Sequence, residues 1–137
     1  MYRLGALLAA VGLLALAAAW VSGAGGPAGR TEVTIELRYS RFVPGAITVP
    51  AGVPVTIELR NGDPIDHEWI LGDAAVHDRH RTGTEPSHGA RPTEITVPAG
   101  TTRRTTIVVE EPGRLQFICH LPGHEAYGMT GVLTASE

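Results

Sequence analysis

Short runs of alternating apolar and polar residues recur along this chain, and each is closed by a turn-forming cluster. Val33, Ile35 and Leu37 alternate with Thr34, Glu36 and Arg38; Ile47 and Val49 follow, then Val53, Val55, Ile57 and Leu59. Later runs carry Ile95 and Val97, Ile107 and Val109, then Leu115, Phe117 and Cys119, and finally Val132 with Thr134. Successive side chains of a strand point to opposite faces, so each run has one face to bury. The breaks are Pro50-Ala51-Gly52, Asn61-Gly62-Asp63-Pro64, Pro98-Ala99-Gly100 and Glu111-Pro112-Gly113, which carry turn chemistry. Seven or eight short strands at such spacing predict an all-β antiparallel sandwich or barrel.

The start of the chain does not follow this pattern. Leu4 to Val21 is an apolar run behind Arg3, and Ser22-Gly23-Ala24 follows it. This reads as a signal peptide cut after the small residues, or as a retained membrane anchor. Either reading exports the domain, to the periplasm or to the outer face of the cytoplasmic membrane. The expected organisation is a signal or anchor over 1–24, a Gly/Ala/Pro linker over 25–31 and one domain over 32–137. The formal charge is −3, and every basic residue is arginine. A mildly acidic chain with scattered positive charge argues against a nucleic-acid partner. Gly72 to Pro92 is polar and rich in histidine; Asp73 is placed to cap one short helix over 73–81.

Cys119 is the single cysteine. Cysteines outside the cytoplasm usually pair as disulfides, so an unpaired one calls for a reason, and a metal bond is one. In Cys119-His120-Leu121-Pro122-Gly123-His124-Glu125-Ala126-Tyr127-Gly128-Met129, a thiolate, an imidazole and a thioether fall close together. That is a type 1 copper donor set short of one histidine. His67 follows the Asn61–Pro64 turn at the head of an apolar stretch that includes Trp69, a core residue by size and context. Loops at one end of a sandwich cluster in space, so His67 is the expected second imidazole.

Phe42-Val43-Pro44, Ile47-Thr48-Val49-Pro50-Ala51-Gly52, Asn61 with His67, and Cys119-x4-His124-x4-Met129 occur in this order. On these pieces the chain resembles a cupredoxin of the plastocyanin/azurin family over nearly all of residues 32–137. The resemblance implies a Greek-key β-sandwich holding one type 1 copper. It makes His67, Cys119 and His124 the equatorial ligands and Met129 the axial one. It also implies single-electron transfer between extracytoplasmic redox proteins in weak, transient encounters, by a monomer that meets the membrane only if its N-terminal segment is retained. Two departures stand out: the gap from His124 to Met129 is one residue longer than in azurin, and Glu68 replaces an asparagine that ties the ligand loops together.

A weak axial thioether leaves no opening for substrate, so a carrier is expected rather than an enzyme. A dinuclear thiolate-bridged centre needs a second cysteine, and positions 120–123 hold none. A copper nitrite reductase needs a second copper site and normally a second domain, for which the chain is too short. The backbone N–H of Leu121 is free to reach the Cys119 sulfur, whereas Pro122 has none to offer.

Strand alternation predicts His120 at the surface. For His77, His80 and His88 two readings stand: solvated loop histidines, or a second metal site. The second belongs with an alternative function, copper buffering or delivery with these histidines as a capture element. Leu121, Pro122, Ala126 and Tyr127 are expected around the exposed edge of His124, as ordinary loop packing or as an apolar docking patch for a redox partner.

Overall fold

The computed structural model describes residues 31–83, 88 and 90–137. The expected signal or anchor and the linker up to residue 30 lie outside the described residues. Thr31, assigned to the linker above, already belongs to the first strand.

The chain runs β1 (Thr31–Leu37), β2 (Phe42–Val43), β3 (Ala46–Pro50), β4 (Val55–Asn61), β5 (His67–Gly72), α1 (Ala74–Arg81), β6 (Glu94–Val97), β7 (Thr102–Ile107), β8 (Gly113–Ile118) and β9 (Thr130–Ser136). Two sheets form, ordered β2-β1-β4-β7 and β3-β9-β8-β5-β6. The expected sandwich is therefore present. Most neighbours are antiparallel, but β1 pairs with β4 and β3 with β9 in parallel. Both parallel pairs join strands distant in sequence, because the chain crosses between the sheets before returning.

The inward faces follow the alternation. Ile35, Leu37, Ile57 and Leu59 from one sheet meet Trp69, Phe117 and Leu133 from the other, all with no exposed surface. Burying each such side chain contributes about 1.5–3 kcal/mol. Two assignments change. Val53 precedes β4 and is exposed, because the Pro50–Gly52 turn continues through it. In β9 the inward residues are Gly131, Leu133 and Ala135, not Val132 and Thr134. A Cβ on Gly131 would lie 2.1 Å from the Phe117 ring, so only glycine lets that ring pack there.

The helix forms where Asp73 caps it: its carboxylate accepts the Val76 N–H at 3.0 Å. The helix then lies flush on the end of β5, where a Cβ on Gly72 would meet Val76 at 2.6 Å. This close seat turns His77 into the interior.

Candidate metal centre

His67 opens β5, and Cys119 follows directly on β8. These strands are neighbours, with Ile70 opposite Ile118. That register carries Cys119 one residue past the end of its strand, opposite Trp69 and within reach of the Glu68 N–H. His124 and Met129 belong to the β8–β9 loop. The loop is held by the His124 N–H on Leu121 O at 3.0 Å and the Tyr127 N–H on Gly123 O at 3.0 Å. The Met129 N–H reaches His124 O at 2.9 Å, and Met129 O accepts the Cys119 N–H at 3.1 Å.

The result is a convergent donor set. His67 Nδ1 lies 3.2 Å from His124 Nδ1, and Cys119 Sγ lies 3.2 Å from the same nitrogen. All three donor atoms fall within 4.8 Å of one another. His67 and Cys119 have no exposed surface, and Met129, equally buried, packs in the same cluster. Two imidazole nitrogens and a sulfur converging at a largely buried point fit copper, whose two oxidation states are served by this mixture.

Neighbouring groups prepare each donor. His67 Nε2 donates to Asp63 Oδ2 at 2.8 Å, which leaves the Nδ1 lone pair facing the site. Asp63 is held in turn by the N–H groups of Tyr39 at 2.7 Å and Ser40 at 2.8 Å. Those two residues adopt left-handed backbone angles, uncommon outside glycine, that aim both N–H groups at one carboxylate. Burial pushes the Asp63 carboxyl up, but the bonds from Ser40, Tyr39 and His67 outweigh it and hold the group below its ordinary range. Asn61 braces the same loop, donating to Ile65 O at 2.8 Å and Val97 O at 2.9 Å and accepting the Asp63 N–H at 3.0 Å. Burial lowers His124, with His67 adding to the effect.

At Cys119 burial pushes the thiol up, while N–H bonds from Glu68 and Leu121 pull it back. The Glu68 N–H reaches the sulfur at 3.3 Å. So the residue standing in place of the expected asparagine still ties the two ligand loops together, through its backbone. Leu121 supplies the second bond, as its position predicts.

The remaining histidines are not arranged as alternation and composition suggest. His120 is buried rather than at the surface, its side chain 4% exposed. β8 ends at Ile118, so alternation no longer governs residue 120, and helix α1 covers it. Nor are His77, His80 and His88 solvated. His77 has no exposed surface, and the side chains of His80 and His88 are 2% and 12% exposed. His77 Nε2 donates to Gln116 O at 3.3 Å, and its Nδ1 accepts from His120 Nε2 at 3.0 Å. His80 and His88 instead converge on Glu94, a residue that no motif marks. Asp63 is likewise absent from any motif reading; its signal was a carboxylate four residues before a ligand histidine.

Around His124, Pro122, Ala126 and Tyr127 are exposed and Leu121 is half-buried, with Tyr127 at 74%.

The comparisons with known proteins agree with this geometry. The chain is 31% identical over 112 residues to the copper-resistant cuproprotein CopI of Rubrivivax gelatinosus, a match covering 77% of this chain and 68% of that one. It is 30% identical over 135 residues to the protein of the same name from Pseudomonas aeruginosa, covering 75% of each. Among solved structures, the blue copper protein auracyanin A of Chloroflexus aurantiacus superposes with a TM-score of 0.63 at 25% identity, over 79% of this chain and all of that one. The reduced auracyanin of Roseiflexus castenholzii superposes with a TM-score of 0.66 at 23% identity, over 80% of this chain and all of that one, a likeness of fold. The cupredoxin-like domain family matches residues 9–135, and this chain belongs to it.

Proposed function

We propose that the protein binds one copper ion at His67, Cys119, His124 and Met129 and carries single electrons between extracytoplasmic redox partners. The observation that carries this reading is the convergence of the His67 and His124 Nδ1 atoms with the Cys119 sulfur in a buried pocket. Bound copper supplies a one-electron couple there. Cys119 provides the strong thiolate bond, and its two N–H contacts temper the charge on the sulfur. Asp63 fixes the His67 tautomer. Met129, which has no exposed surface, would be the fourth residue to hold the ion. His124 is partly exposed in the same loop as the exposed Pro122, Ala126 and Tyr127, and a small apolar surface there suits brief electron-transfer contacts. The N-terminal apolar segment supports export.

A second reading, copper buffering or delivery, is favoured by the His80, His88 and Glu94 cluster beside this centre and by the relatives whose printed name is copper-resistant cuproprotein. Copper(II) added to the protein is expected to raise an intense thiolate-to-copper charge-transfer band that disappears in Cys119→Ser. A pale, histidine-type spectrum overturns the type 1 assignment. Repeated reduction and reoxidation without loss of metal supports the carrier; ready release to a chelating acceptor with poor cycling supports delivery.

A further inference from the structure

The chain has six histidines, and the centre above uses two of them, His67 and His124. The other four lie together. His120 stacks on His80 at 5.3 Å, His80 stacks on His88 at 5.2 Å, and His77 lies against His120 at 5.2 Å. Burial pushes His120 down to about 4 and lowers His77 as well. The Nδ1 lone pair of His77 is taken by His120, which removes His77 as a ligand toward its neighbours.

His80 and His88 differ. A carbonyl oxygen only accepts, so His80 Nδ1 must donate to Val76 O, at 2.8 Å. His88 Nε2 donates to Glu68 Oε1, at 2.8 Å. Each ring has therefore committed its N–H elsewhere, and the nitrogens left, His80 Nε2 and His88 Nδ1, carry lone pairs. They face each other at 3.4 Å, and both lie 3.7 Å from Glu94 Oε2. Three potential donor atoms for a metal thus converge on one point. These separations put the point equidistant from all three atoms about 2.1 Å from each, the length of a metal–imidazole bond.

We propose that His80, His88 and Glu94 form a second metal site, and that it takes copper(II). Two imidazoles and a carboxylate suit a borderline divalent ion, and among the first-row metals copper(II) binds such sets most tightly. The two histidines carry the outer bonds that a metal-ligating imidazole normally makes, one to a carbonyl and one to a carboxylate. Arg91 Nη1 donates to Glu94 Oε2 at 2.8 Å. Its side chain is half-exposed at the rim of the site. Glu68 joins the two centres: its carboxylate holds His88, and its N–H holds the Cys119 sulfur.

The site itself stands apart from the type 1 assignment, and one titration separates them. Copper(II) is added to the metal-free full chain while bound copper, the visible spectrum and the electron paramagnetic resonance spectrum are recorded. Two tightly held ions per chain are expected. One raises the intense band; the other adds a tetragonal signal with splitting from two nitrogens and almost no colour. His88→Asn and Glu94→Gln are each expected to lower the stoichiometry from two to one and remove the tetragonal signal, with the intense band retained as evidence that the fold is intact. The proposal is overturned if the wild type stops at one ion with the band saturated, or if both variants keep the second signal. Absence of the intense band in the wild type, with a second ion still lost in His88→Asn, defeats the type 1 reading and leaves this site standing.

Discussion

Asp63 shows how one carboxylate can organise a centre without touching the metal. Its oxygens receive the Tyr39 and Ser40 N–H groups and the His67 Nε2 proton, so the imidazole can rotate or change tautomer only by abandoning a buried bond. Outer partners of this kind typically change metal affinity by about 10–100-fold when removed. Asp63→Ala is therefore expected to weaken copper binding by about that factor in competition with a chelator. Asp63→Asn keeps an acceptor for His67 and should lose less. Equal losses in the two variants would mean the charge, not the orientation, matters. Glu68 acts at the same scale through its backbone. Glu68→Gln should leave the Cys119 contact in place while changing how His88 is held. A spectrum of the first bound ion unchanged by Glu68→Gln is the expected result, with the weaker binding confined to the second.

At the scale of elements, helix α1 is short and depends on its ends. Asp73 satisfies the Val76 N–H, and the Thr82 N–H closes on Asp78 O at 3.1 Å. Replacing such a cap with alanine costs about 1 kcal/mol. Because α1 carries His80, Asp73→Ala should also weaken the second ion preferentially. A thermal melt and the copper stoichiometry measured on the same sample check both effects. The β8–β9 loop is the other decisive element, since its internal turns fix His124 against Cys119 and return the chain to Met129. Its length differs from azurin by one residue, yet Met129 is still buried and bonded through its backbone to both neighbours.

On the scale of the whole molecule, the sandwich is a stiff frame with one polar seam on its outer face. Glu58 lies on β4 under Arg60 and Arg104. The hydrogen bond from Arg104 outweighs burial and, with Arg60, holds the Glu58 carboxyl below its ordinary value of 4.5. A carboxyl depressed on folding stabilises the protein above its unfolded value, and that contribution is lost as pH falls through the folded one. Glu58→Gln should therefore melt below the wild type at pH 7, and the gap should close as the pH is taken below 4.5. A gap that persists in acid would assign the effect to packing. In the core, Phe117 has no exposed surface and seats on Gly131. Phe117→Ala should cost about 3–5 kcal/mol in denaturant unfolding.

Much of this was legible in the chain itself. Period-two runs and turn clusters decided the strands, because alternation is the pattern a half-buried strand imposes on its own residues. The order of His67, Cys119, His124 and Met129 singled out the candidate donors, because their chemistry is local to each side chain, and the fold brings the first three together. Asp73 announced the helix for the same reason. Alternation failed where strands ended, as at His120, and where a partner's bulk chose the face, as at Gly131 beneath Phe117. Composition left His77, His80 and His88 open between solvated loop residues and a second metal site; in the fold His77 is buried, and the side chains of His80 and His88 are 2% and 12% exposed. Glu94 could not be linked to its histidines from spacing, and the four-residue step from Asp63 to His67 was the one local signal of that pair. Which lone pair faces which acceptor depends on the register between strands and on bonds made across tens of residues, and those distances exist only once the two sheets have closed.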